Sequence, residues 1–470
     1  MERQHKLLLI GSTVFLIVLY LVTMKVPFFW DAVSKSVRAT WLYNNNFSQF
    51  VVPTEFNSGH PPLWESLLAL SWKIGGRTIA ISRFLLLVFN IAAFWQLIRF
   101  IVSNKNESVP YWALILVLIE PALLTQTTII NNDIMLLFFT LLGLNSIYKN
   151  QRIIYTIALT GVLFSNLRGS SIFVSLLLID FLYYYFKLKE DRQKFLWTSY
   201  LPPLIIFTLF LTYQQSVLGW FLKAPGHQHR QISGIFQMVK NTAAIGKGFL
   251  ETGRIFLFLP LGFLILKLFK SEKWVRISNE NKRLIITFSV FFCVFSGLFI
   301  VMTNPVGPRY YMICFLIATL FFLNLVFGFV KKHLWKKALL TIAAIGFLTG
   351  HLWIWPATIS QAWDTTFAYL HYFPLKNKMQ DYVLERELDK TEVGTNLNLN
   401  EPQYIDLKTA PLTKYSKLDL SKNKYVILSN IENETSDEDI NTLRNTWKLE
   451  KSFSQLGVFV NLYSRPDGLE

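Results

Sequence analysis

Two carboxylates stand at the ends of apolar runs, where a charge is costly unless something uses or pairs it. Asp31 follows Trp30 as the first apolar run ends, and Asp133 closes the trio Asn131-Asn132-Asp133 just before a later run begins. Two acids facing one compartment suggest an active site, because a carboxylate beside a reacting hydroxyl can take its proton. The loop after Asp31 also holds Gly59-His60-Pro61-Pro62.

The elements that must position these residues are set by composition. Of 470 residues, 52% are hydrophobic and 16% charged, and the mean hydropathy is +0.35. That places the chain outside soluble domains and makes it an all-α polytopic membrane protein. Runs long enough to cross the hydrocarbon core fall at about 6–25, 79–101, 111–129, 134–149, 153–168, 170–187, 198–218, 253–270, 284–303, 310–330 and 337–356. About eleven transmembrane helices are therefore expected.

The net charge is +16, yet residues 357–470 hold 13 Lys+Arg against 17 Asp+Glu. The basic excess thus lies among the spans. It clusters in alternate loops: Lys149 and Arg152; Lys187 to Lys194; Lys270 to Arg283; Lys331 to Lys337. By the positive-inside rule those loops and the N-terminus, with Arg3 and Lys6, are cytoplasmic. This pattern gives no support to nucleic-acid binding. Loop 26–78, Asn131 to Asp133, Arg168, loop 219–252, Thr303 to Arg309 and everything beyond 356 then face outward. The basic, apolar N-terminus lacks a small-x-small cleavage site after Met24 and reads as an uncleaved first span.

Leu63, Leu67, Leu70 and Ile74 follow helical spacing over a stretch too short to span, which predicts an interfacial helix. Segment 235–250, with Ile235, Val239 and Phe249 among Lys240 and Lys247, repeats the idea. The expected domains are a transmembrane unit at 1–356, a linker at 357–375 and a small extracytoplasmic α/β domain at 376–470. Strand-like runs at Tyr425 to Ser429 and Val458 to Tyr463 flank a helix beginning in the acidic stretch after Ser436. With no Gly-rich phosphate loop and no metal cluster, that domain is expected to recognise an acceptor or to cover the bundle as a lid.

This order of features resembles the GT-C glycosyltransferases: Asp31 after span one, His60-Pro61-Pro62, interfacial helices, Asp133 opening a later span, a helix end from Gly161 to Arg168, and Pro308-Arg309-Tyr310. Within that class the chain is most similar to bacterial relatives of the dolichyl-phosphate-mannose protein mannosyltransferases and to the lipid A aminoarabinose transferase. The resemblance implies a plasma-membrane enzyme that moves a sugar from a polyprenyl-phosphate carrier to a glycan, lipid or protein acceptor on the outer face, with inversion. Asp31 matches the family's loop-one acid and is the expected general base, and Asp133, its second acid, orients the acceptor or helps hold a metal. Arg168 and Arg309 are the expected cations for the lipid phosphate. His60 either joins them, binds a metal ion or caps the interfacial helix. A divalent metal ion is a candidate cofactor, with Glu55, His227 and His229 as its candidate ligands.

Here Ala32 follows Asp31 where many relatives carry Asp-Glu, and Gly59-His60 stands where some have Glu-Lys. Two other classes compete with the enzyme reading. A transporter or flippase should show paired halves and charges at mid-membrane, whereas the unusual charges here lie on one face. A non-catalytic envelope scaffold would keep the fold without needing Asp31. Glu120 and Asp180 fall inside runs and are read as structural pairs with unidentified partners; Cys293 and Cys314 are read as packing residues.

Overall fold

The computed structural model describes residues 2–466 except 58, 191–193, 223, 226–230, 271–276, 304–305, 397–400 and 409–412. Ten of the eleven apolar runs are single helices: α1 (Glu2–Thr23), α4 (Ile79–Asn104), α7 (Asp133–Tyr148), α8 (Arg152–Ser165), α9 (Gly169–Tyr185), α10 (Leu201–Leu218), α12 (Ile255–Phe269), α13 (Asn279–Val301), α14 (Met312–Phe329) and α15 (His333–Thr349). Helices α2 (Asp31–Asn44), α3 (Leu63–Gly75) and α11 (Ile235–Leu250) lie in the connections between them. The interfacial helices expected at 63–74 and 235–250 are thus present as helices.

The count of eleven spans is not reached. Among the described residues five helical segments are long and apolar enough to cross a membrane. They become six if α11 and α12, which meet at 94°, are one broken span; α7, α8 and α9 are shorter apolar helices. The run 111–129 departs most from expectation, since it divides into a 3-10 turn at Tyr111–Leu114, α5 (Ile115–Leu118) and α6 (Pro121–Gln126). Pro121 is the cause. The residue before a proline is driven out of the helical region, and Glu120 has φ −56°, ψ 129°. Its carboxylate then caps α6, accepting from the Leu123 amide at 2.8 Å.

Glu120 would be a buried charge without a partner if Arg254 were not there. Arg254 donates through Nε to Glu120 Oε1 at 2.7 Å with both side chains fully buried, and through Nη1 to Thr252 Oγ1 at 2.6 Å. Thr252 and Gly253 make the sharp corner between α11 and α12. A Cβ on Gly253, at φ +76°, would fall 1.7 Å from the Gly346 carbonyl, so only glycine fits there. Asp180 is paired as well, with Lys189 Nζ at 2.5 Å and the Tyr200 hydroxyl at 2.9 Å. Both residues read as structural pairs thus have named partners.

Beyond the bundle, α16 (Tyr372–Glu385) leads into a five-stranded sheet of β1 (Val393–Thr395), β2 (Ser416–Lys417), β3 (Tyr425–Ser429), β4 (Lys448–Gln455) and β5 (Val458–Ser464). The order is β2-β1-β3-β5-β4, with β1 parallel to both neighbours and β5 antiparallel to β3 and β4. Alternation decides its two faces. Val426 and Leu428 pack on Ile440 and Leu443 of the helix Asp437–Thr446, while Ile427, Val460 and Leu462 join the core of the bundle. Ser436 caps that helix by accepting from the Asp439 amide at 3.0 Å. Residues 363–371, inside the stretch expected as a linker, form two 3-10 turns whose Trp363 and Tyr369 are buried in that core.

Removing one member of a buried ion pair leaves the other charge unpaired, at a cost of about 3–5 kcal/mol. Glu120→Leu and Arg254→Met should each lower the thermal midpoint of the purified protein in detergent. The double variant should recover most of the loss, and a double variant no better than the singles would mean that the pair is not coupled.

Candidate functional site

The site forms where the start of α2, the start of α7, the start of α9 and the turn before α14 meet at one end of the bundle. Trp30 sets the first of these. It holds φ +48°, ψ −127° at the N-cap of α2, a conformation that a bulky residue keeps only under surrounding constraint. The constraint is aromatic: Trp30 stacks on Phe29 at 5.3 Å and Phe29 on Tyr369 at 4.8 Å. Buried Arg83 adds a clamp, donating to the carbonyls of Val26 at 2.7 Å and Thr128 at 2.8 Å. Asp31, expected in a loop, is the first residue of a helix.

Asp133 is fixed from its own segment, where Asn131 Nδ2 donates to its Oδ2 at 2.9 Å and Asn132 Nδ2 reaches the Ser165 carbonyl at 2.6 Å. Arg168 begins α9 in a tight approach to α8. A Cβ on Gly169 would lie 1.9 Å from the Val162 carbonyl, which requires glycine directly after the arginine. Arg168 pairs with Asp133 and lies over the Tyr310 ring at 4.0 Å.

Arg309 is the centre. Its Nη2 meets Asp31, its Nη1 meets Asp364 Oδ2 at 2.5 Å, and its Nε lies 3.6 Å from Asp133 Oδ2. Three carboxylates from three distant parts of the chain thus share one guanidinium. Their exposure separates them: the Asp31 side chain is 60% exposed, against 2% for Asp133 and 7% for Asp364. The Arg309 guanidinium beside Asp31 holds that carboxyl below the usual carboxylate range. Burial pushes the Asp364 carboxyl up to about 6 despite Arg309, and burial also pushes the Lys35 ammonium on α2 down to about 7.

Four of the expected residues, Asp31, Asp133, Arg168 and Arg309, therefore converge. His60 lies next to them, its Nδ1 accepting from the Leu167 amide at 3.4 Å. Glu55 is exposed on a turn, and among the described residues no three His, Cys, Asp or Glu come together to hold a metal ion. His227 and His229 lie outside the described residues. Asp364 was missed by sequence reasoning, because it sits in a polar stretch that looked like a linker. Its backbone is pinned through Gln126 Nε2, which donates to the Asp364 carbonyl at 2.8 Å.

Asp133, Arg168 and Arg309 line a small cleft, open to solvent, whose other walls include Leu136, Ile172, Phe295, Phe299 and Ile313. Apolar walls ending in two arginines suit an amphipathic ligand with an anionic head.

The architecture and this site define a membrane protein of the GT-C fold. The sequence profile of the dolichyl-phosphate-mannose-protein mannosyltransferase family matches residues 80–165. Among solved structures the chain is similar to ArnT from Cupriavidus metallidurans bound to undecaprenyl phosphate, at 11% identity and a TM-score of 0.50 over 98% of this chain and 99% of that one. The apo state of ArnT from the same organism gives 13% identity and a TM-score of 0.50, over 96% and 98% of the two chains. No curated protein sequence matches significantly.

The raised Asp364 carboxyl has a stability consequence. The folded protein holds that proton more tightly than the unfolded chain, so the contribution is full below about pH 4 and is lost as pH rises through about 6. A rise from 3.8 to about 6 corresponds to about 3 kcal/mol. Asp364→Asn should therefore flatten the fall in thermal midpoint between pH 4 and 7 relative to wild type. Parallel curves for the two proteins would show that Asp364 does not titrate there.

Proposed function

We propose that this chain transfers a sugar from a polyprenyl-phosphate carrier to an acceptor hydroxyl on the outer face of the plasma membrane, with Asp31 as general base. The observation that carries the reading is the apolar cleft that ends at Arg168 and Arg309 beside the one exposed carboxylate of the cluster. ArnT in its lipid-bound crystal form holds undecaprenyl phosphate, which supports a carrier of that class here. The basic loops on the opposite side support the outward orientation.

In the proposed step the acceptor hydroxyl approaches from the solvent side and attacks the anomeric carbon opposite the phosphate, which inverts that carbon. The new C–O bond forms as the bond from carbon to phosphate oxygen breaks. The phosphate keeps the electron pair, and the hydroxyl proton passes to Asp31. Arg168 and Arg309 face the charge that grows on the leaving phosphate, in a site where low polarity strengthens the interaction. Buried Asp133 holds Arg168 and the Arg309 edge in place. In the resting site carboxylates occupy the Arg309 fork, and an arriving phosphate takes over the Asp31 contact, which frees Asp31 for the acceptor. No step is routed through a metal ion, since the described residues gather no set that fits one.

Loss of a general base costs about 10²–10⁴-fold in rate. Membranes carrying Asp31→Asn should retain donor binding but lose transfer of radiolabelled sugar from polyprenyl-phosphate donors by that factor, with expression matched to wild type. Full activity would remove Asp31 from the role of base. Consumption of no donor by wild type would sink the transferase reading.

A further inference from the structure

Of the three acids on Arg309, Asp364 alone comes from the segment beyond the last bundle helix, and its backbone is set without help from its own carboxylate. Gln126 Nε2 donates to the Asp364 carbonyl at 2.8 Å, the Thr365 hydroxyl to the Ala362 carbonyl at 2.8 Å and the Thr366 hydroxyl to the His351 carbonyl at 2.9 Å. Trp363, Thr365 and Thr366 are buried around it. The carboxylate itself is poorly satisfied. Oδ2 meets Arg309 Nη1 at 2.5 Å, whereas Oδ1 is buried with no hydrogen-bond partner among the described residues. Buried polar atoms of a native fold are nearly always bonded, so a charge kept in this position calls for a reason other than stability.

The reason lies in the charge count. Asp31, Asp133 and Asp364 stand against Arg309 and Arg168, three negative charges to two positive. An anion at the arginines therefore meets a net negative cluster with Asp364 ionised and a neutral one without it. Asp364 does not line the cleft that Arg309, Arg168 and Asp133 line. It acts on a ligand from behind, through the Nη1 end of the fork whose Nη2 end faces Asp31. The proposed step turns a phosphodiester into a phosphate monoester, which carries more charge and draws harder on a guanidinium. Two arginines against two acids would hold that product tightly, and the site would refill slowly.

We infer that Asp364 is a positioning residue that tempers Arg309: it fixes the guanidinium through Nη1 and weakens its hold on a phosphate enough for the spent carrier to leave. This rests on the carrier phosphate proposed above at Arg168 and Arg309, and the charge effect itself can be measured without any transfer.

Calorimetric titration of the purified full-length protein in detergent with farnesyl phosphate tests it, at fixed ionic strength and at a pH of about 8, where the Asp364 carboxyl, pushed up to about 6 by burial, is ionised. A unit charge about 6 Å away changes affinity by about 10–100-fold at the dielectric of a partly buried site. Asp364→Asn keeps the shape of the side chain, and Asp364→Ser removes the same charge from a smaller one. Both should bind farnesyl phosphate about tenfold more tightly than wild type, or better, while Arg168→Gln should bind it more weakly. A role confined to holding Arg309 in place predicts the opposite sign for the two Asp364 variants, and either of them decides the matter if the other does not fold. Unchanged or weaker binding in a folded Asp364 variant would overturn the proposal, as would binding that Arg168→Gln leaves untouched. Binding to none of the proteins would overturn it too, while transfer of labelled sugar, assayed separately in membranes, would still decide the transferase reading. Tighter binding in the Asp364 variants of a protein that consumes no donor would sink the transferase reading alone.

Discussion

One guanidinium organises this end of the molecule. Arg309 is buried against carboxylates at positions 31, 133 and 364, so it joins the first connection, the mouth of α7 and the lead-in to the sheet domain. A buried arginine needs such partners, since an unpaired charge in a low-dielectric interior costs several kcal/mol. Three carboxylates against one arginine leave an excess of negative charge, which Arg168 reduces from the other side of Asp133. The balance is asymmetric. The two buried acids make a fixed cradle, and Asp31 is the carboxylate of the three that faces solvent.

The same constraint explains the order of the surrounding structure. Arg309 stays in place because Pro308 starts a turn directly before α14, nearly all of whose residues are buried. Asp364 is held through Gln126 on α6, and α6 exists because Glu120 and Pro121 break the apolar run. Glu120 in turn tolerates burial only through Arg254. Two ion pairs and one amide hydrogen bond therefore lead from the corner at Gly253 to the centre of the site.

How much of this was legible in the sequence follows from the physics of each signal. Long apolar runs are read from composition, and ten of them became helices. The short interfacial helix α3 was readable from spacing, whereas α2 was not: its buried side includes Lys35, Ser36, Arg38 and Thr40, and a buried face of polar residues carries no hydrophobic period. Asp31, Asp133, Arg168 and Arg309 could be picked out because charge beside apolar sequence is conspicuous, and the structure brings them together. Asp364 sits among polar residues, where a carboxylate looks ordinary, and only the fold reveals that it faces Arg309. The break at 119–121 had a readable cause in Glu120-Pro121, but the hydropathy of its flanks outweighed it.

The sheet domain shows how a polar segment becomes part of a membrane site. Its inner face joins the bundle core through Ile427, Val460 and Leu462, the Phe28 amide donates to the Ile405 carbonyl at 3.1 Å, and Arg77 reaches the Gln403 carbonyl. Phe28 lies just before α2, the helix that carries Asp31, Lys35 and Arg38, and Arg77 also donates to Thr40 on that helix at 3.1 Å. A domain acting only as a mobile lid would need few such bonds, because each must break on opening. Asp364 adds a stronger reason for a docked arrangement, since withdrawing it would leave Arg309 short of a buried partner. The domain is therefore better understood as a fixed wall of the site: its position bears on α2, and the turn that leads into it supplies Asp364, which sets how tightly Arg309 is held before any ligand arrives.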